Sequence, residues 1–248
     1  MADSLRRLMR EASDTTVAKA ISKKVEAIDK SVFSMQDEFV TKYPQSFTAV
    51  LIKSSKEPPL PEYAPDADMA SKIKGYNFYK SHYLDNVDFK DERLFRSPVY
   101  FQKVDGFIQN ITYQQPDSII KSLDIVLAKT KEIPDAFKFY LSHYFNYYLK
   151  SKFVGMDDVY VHLIDKYYSK GEAPWVDKAN LQKMKDAAND VRPTLLGRYA
   201  PNLTFLNQKD STDIKVHDIQ SPYTVLFFWA PDCSHCEKAI PHVIDFDN

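Results

Sequence analysis

Cysteine is almost absent from this chain: its 248 residues include only Cys233 and Cys236. A scaffold held by disulfides would spread more of them along the sequence, so that class is excluded. Glycine is scarce too, with five residues in all, which argues against a turn-rich all-β fold. No uninterrupted apolar run approaches roughly eighteen residues, so no helix is expected to insert into a membrane. The net charge is -1, and basic pairs such as Arg6-Arg7 and Lys23-Lys24 are followed closely by Glu11 and Glu26. Such interspersed charge reads as solvated helix surface and gives no general pull toward nucleic acid or anionic lipid. The first thirty residues lack the apolar middle of a secretory signal. The last residues, Asp245-Phe246-Asp247-Asn248, stop inside a helical pattern. Both ends are therefore expected to be artificial, and the missing signal does not decide location.

Helical periodicity is abundant. Val17, Ala20, Ile21, Val25 and Ile28 recur at helical spacing, and a second helix is expected through Met35, Phe39 and Val40, ending near Tyr43-Pro44. Ser46 is placed to cap a third, with Phe47, Val50 and Leu51 facing inward. The run from Lys56 to Pro65 then carries Pro58, Pro59, Pro61 and Pro65, which forbids a helix and predicts a stiff, extended connector. Beyond it, Ser97-Pro98, Pro116-Asp117 and Pro134-Asp135 each announce a helix start. Further helices are expected through Tyr160, Leu163, Ile164 and Tyr167, and between Ala173 and Val191. Amphipathic helices on short loops bury their stripes against one another, as a multi-helix bundle or stacked helical hairpins. The aromatic stripe from Phe137 to Tyr148 reads as core, and His82, His143 and His162 as packed or surface residues.

The pattern changes after Arg192-Pro193. Residues 202–206 alternate as a strand, and Asn207 to Asp210 supply turn chemistry. Tyr223 to Trp229 is continuously apolar and rich in β-formers, which predicts a fully buried central strand. Helical spacing resumes with Cys236, Ala239, Ile240 and Val243. A thiol at the start of such a helix meets unsatisfied amides and the positive dipole end, which favour the thiolate. Cys233 is thus expected to be the exposed nucleophile, and Cys236, one turn in, the shielded resolving thiol. His235 lies between them, where a protonated imidazole favours the thiolate and tunes its pKa.

The stretch from about Tyr199 onward resembles the thioredoxin-like domains of bacterial envelope thiol–disulfide oxidoreductases, the TlpA/ResA-like group. The resemblance rests on Ala200-Pro201-Asn202-Leu203, on Thr224 to Trp229, on the block from Trp229-Ala230-Pro231 to Cys236, and on Pro241, five residues after Cys236. Residues Tyr83 to Phe89 and Asp91 to Leu94 resemble an uncharacterised helical domain that precedes such modules. The resemblance implies thiol–disulfide exchange with protein thiols or disulfides, no organic cofactor, and structural roles at the site for Trp229, Pro231 and Pro241. It also implies a periplasmic or cell-envelope home, with a membrane partner as electron donor. Two departures stand out. Phe227 occupies the place, six residues before Cys233, where many thioredoxins carry a buried acid. The chain is expected to stop short of the family's later strands and cis-proline loop, so its exchange is expected to be weak or absent.

The fold class expected is mainly α, with an incomplete thioredoxin-like α/β segment at the end. Its divisions are a helical segment over 1–55, a proline-rich connector over 56–65, a helical domain of unknown function over 66–195, and the thioredoxin-like half over 196–248. A zinc site using Cys233, Cys236, His235 or His242 is the weaker chemistry, because zinc normally takes four ligands and a second half is missing. The competing class of function is a helical interaction or spacer module with no catalysis of its own.

Overall fold

Pro98, Pro116 and Pro134 each stand at the first position of a helix, where a missing N–H costs nothing and the fixed φ is already helical. This is the computed structural model of the chain, and it describes Arg7 and residues 15–59, 68–207 and 210–247. Contacts divide it into two units, Met1–Gly197 and Arg198–Asn248.

In the first unit α1 spans Thr15–Lys42 without a break. Two helices were expected over this stretch. The residues between Ile28 and Met35 include neither proline nor glycine, so nothing stops the first helix. Helix α2, Phe47–Ser55, begins as expected: the Ser46 hydroxyl accepts from the Ala49 N–H at 3.1 Å. Lys56 then turns extended, and its carbonyl accepts from the ammonium of the buried Lys103 (3.0 Å) and the Asn86 amide (3.4 Å). Tyr79 donates to the adjacent Glu57 at 2.8 Å. The start of the proline-rich connector is thus pinned by three side chains, while its residues 60–65 lie outside the described residues.

Helix α3, Met69–His82, and the single-turn α4, Glu92–Phe95, are capped by Asp68 and Asp91. Helix α5, Pro98–Gly106, widens into a π turn over Phe107–Ile111. Three helices then form the centre: α6, Pro116–Thr130, α7, Pro134–Leu149, and α8, Asp157–Leu163, each packed on the other two. A second π turn, Ile164–Tyr168, extends α8, and α9, Lys178–Val191, closes the unit. Ile119, Leu123, Val126, Leu127, Leu141, Leu163 and Ile164 are sealed from solvent, together with Tyr100, Tyr140 and Tyr144. Burying each such side chain contributes roughly 1.5–3 kcal/mol. The rings of Tyr140, Tyr144 and Tyr148 stack along α7, so the aromatic stripe is core. Phe101 sits at the surface against Phe139 and His143, while its neighbour Tyr100 is buried.

The second unit is a small α/β assembly. Strands β1, Thr204–Leu206, and β2, Asp213–Lys215, pair antiparallel with Phe205 opposite Ile214. Helix α10 follows over Ser234–Asp247. One expectation is overturned here: Tyr223 to Trp229 is neither a strand nor buried. Tyr223 is 90% exposed, Phe228 70% and Trp229 57%. A ribbon of β-formers becomes a central strand only when chains pair along both its edges. Among the described residues β1 and β2 pair only with each other, and the ribbon joins no sheet. The chain as a whole is mainly α, as its periodicity indicated.

Candidate functional site

The two sulfurs meet because a turn and a helix start follow one another directly. Pro231 and Asp232 form the turn, closed by the Cys233 N–H donating to the Ala230 carbonyl at 3.1 Å. Cys233 then occupies the cap position of α10, where its carbonyl accepts the first helical bond, from the Glu237 N–H, at 3.1 Å. The Cys236 N–H donates to the Cys233 Sγ at 3.2 Å. The sulfur therefore takes the place of a capping oxygen, receiving an amide that the helix itself leaves unpaired. Cys233 and Cys236 are joined as a disulfide with their Cα atoms 5.2 Å apart.

Reduction would leave negative charge on a sulfur that already accepts an N–H at a helix N-terminus, and both features stabilise a thiolate. Both cysteines are half-buried. His235 is exposed on the first turn beside them. Trp229 and Pro231 are exposed. Pro241 lies inside α10 and, lacking an N–H, leaves the Glu237 carbonyl without its helical donor. Phe227, in the position of the absent acid, is 38% exposed and not a buried strand residue.

A second polar constellation, in the helical unit, escaped sequence reasoning. Asp124 on α6 accepts from His162 Nε2 (3.0 Å), Lys166 Nζ (2.8 Å) and the Tyr167 hydroxyl (2.7 Å). Burial pushes the Asp124 carboxyl up, but the bonds from Lys166, His162 and Tyr167 outweigh it and hold the group below the usual carboxylate range. Next to it, Arg192 grips Asp165 in a bidentate pair at 2.8 and 3.0 Å. The partners of Asp124 lie some forty positions away, and no local motif announces them. The other two histidines pack as expected of bystanders: His82 stacks on Phe78 and His143 on Phe139. Among the described residues no group of His, Cys, Asp or Glu is arranged to hold a metal ion.

The family profile described as a domain of unknown function, DUF5106, matches residues 52–193. The chain belongs to the DUF5106 family. The matched region holds α3 to α9 and the Asp124 constellation, whereas Cys233 and Cys236 lie beyond it. No curated protein matches the chain. Among solved structures, a thioredoxin-like protein from Bacteroides caccae ATCC 43185 is similar at 17% identity and a TM-score of 0.47, covering 76% of this chain. The chain spans 66% of that protein's length, just under two thirds. No helix among the described residues of this DUF5106 protein is long and apolar enough to cross a membrane.

Proposed function

We propose that this DUF5106 chain carries a thiol–disulfide exchange centre of the TlpA/ResA-like kind, with Cys233 as nucleophile and Cys236 as resolving thiol. The reading rests on one observation: the Cys233 sulfur caps α10 and accepts the Cys236 amide. In the reduced state Cys233 attacks a disulfide of a partner protein, forming a mixed disulfide and releasing one partner thiolate. Cys236 then attacks Cys233, closing the internal disulfide and releasing the second thiolate, so two electrons pass to the partner. His235 tunes the thiolate, and Trp229, Pro231 and Pro241 shape the turn and helix around it. The partners are protein thiols and disulfides in a periplasmic or envelope compartment, with a membrane-bound donor restoring the reduced pair. Exchange by this chain is slow, because the apolar ribbon leading into the turn is unbraced.

The test is trapping. Cys236→Ser should accumulate a mixed disulfide with a peptide disulfide, while Cys233→Ser should not. Equal trapping by both variants, or by neither, sinks the assignment.

A second reading makes the DUF5106 region a helical recruiting or spacer module. It is favoured by the location of the buried core, which the described residues place between Val25 and Leu195. Partner capture that survives replacement of both cysteines by serine would support it.

A further inference from the structure

Between α3 and α6 lies a cleft of about 220 Å³ lined by Asn77, Lys80, Ser81, Leu84, Asp85, Phe107, Ile125 and Lys129. Its floor is apolar: Leu84 and Phe107 are buried, and Ile125 stands half-open at 46%. Its rim is cationic. Lys80 and Lys129 both belong to the lining, and the Lys80 ammonium lies 5.8 Å from the centre of the Phe107 ring. Among the described residues no carboxylate comes within ion-pairing distance of Lys80, Lys121 or Lys129, although Lys56, Lys90, Lys131 and Lys166 all have one. Asp85 contributes the only acid to the lining and is outnumbered.

We propose that this cleft binds a small amphiphilic anion, a carboxylate on a short apolar body, with the head between Lys80 and Lys129 and the body on Leu84, Phe107 and Ile125. Lys80 feels the like charge of Lys121 with no carboxylate in pairing range among the described residues, which raises the free energy of the empty site, and an anion relieves it. Burial, and then the charge of Lys121, already push the Lys80 ammonium below its ordinary value. A cleft of this size suits a short acyl chain or a single-ring acid. The cleft belongs to the helical unit, and the inference stands whether or not the cysteine pair exchanges disulfides.

The test uses the full chain, with octanoate and inorganic phosphate as probes in NMR titrations. Octanoate should saturate shifts at Ile125, Leu84 and Phe107, with phosphate binding more weakly. Lys80→Gln and Lys129→Gln should each weaken octanoate about fivefold, the loss of one partly exposed ion pair, while Lys183→Gln on α9 leaves it unchanged. Ile125→Glu, at a half-open position that folding tolerates, should abolish binding with an unchanged thermal midpoint. Failure of octanoate to saturate, indifference to both lysine changes, or phosphate binding as tightly as octanoate would each overturn the proposal.

Discussion

Tyr167 donates its phenolic hydrogen to Asp124 at 2.7 Å, joining α6 to a π turn 43 residues later in the chain. The π turn makes this possible. Its hydrogen bonds run from i to i+5, so Tyr167 comes onto the face that His162 and Lys166 already share. A regular helix would carry Tyr167 past Asp124. Removing the acceptor strands the buried Tyr167 hydroxyl and the half-buried His162 at the packing seam of α6 and α8, while the exposed Lys166 turns to water. Asp124→Ala should therefore cost about 2–3 kcal/mol in urea unfolding, and Asp124→Asn less, because an amide oxygen still accepts one or two of the bonds. An Asp124→Ala protein as stable as the parent would remove this account of the seam.

The same carboxylate sets an acid limit. Asp124 and Asp165 both titrate below their unfolded value, Asp165 chiefly through its hydrogen bond from Arg192. A carboxyl with a depressed folded-state pKa holds fewer protons folded than unfolded, so stability rises with pH in that interval. The contribution is complete above the unfolded value near ~4 and is lost as pH falls through the folded values. Stability curves of Asp124→Asn and Asp165→Asn should be flatter than the parent's below about pH 4 and parallel to it near neutrality.

Gly155 offers a backbone test. Its φ is +86°, a region that side chains with a Cβ rarely adopt, and a Cβ there would strike Leu196. Gly155→Ala should lower stability by about 1–3 kcal/mol through strain and displacement of Leu196. Gly171, whose φ is +79° but which has open space around it, should lose less on the same change. A thermal melt of the two variants side by side separates steric clash from backbone strain.

Legibility in the sequence followed the range of the interaction. The starts at Ser46, Pro98, Pro116 and Pro134 depend on residues within one turn, and each was readable from its own cap or proline. The α7 stripe was readable because burial on one face imposes a helical period. The break expected inside α1 was a misreading of a gap in the apolar pattern, for neither proline nor glycine stands there. Tyr223 to Trp229 misled for another reason: its β-forming composition says what the ribbon prefers, while a strand also needs neighbours. Asp124 with His162, Lys166 and Tyr167 was invisible, because three donors meeting one acceptor across forty residues leave no local spacing. Lys80 and Lys129 line one cleft only because the fold brings α3 beside α6, so no local spacing announces them.

The cap geometry at Cys233 makes a sharper statement about reactivity than burial does. Cys233 and Cys236 are both half-buried, so burial class alone does not tell their reactivities apart. Only Cys233 sits at the helix cap with its sulfur accepting an amide, and a cap stabilises the charged form. After reduction, Cys233 should react with iodoacetamide below the ordinary thiol range, and Cys236 only nearer to about pH 8.5. His235 is exposed beside the pair, so its effect is screened by solvent and is modest. His235→Ala should raise the pH midpoint for Cys233 alkylation slightly and make the pair's potential more negative by on the order of 10 mV, since a less stable thiolate favours the disulfide. Peptide mapping of the labelled chain across pH reads both effects. If Cys236 labels first, or both label along one curve, the amide at the Cys233 sulfur does not control the chemistry.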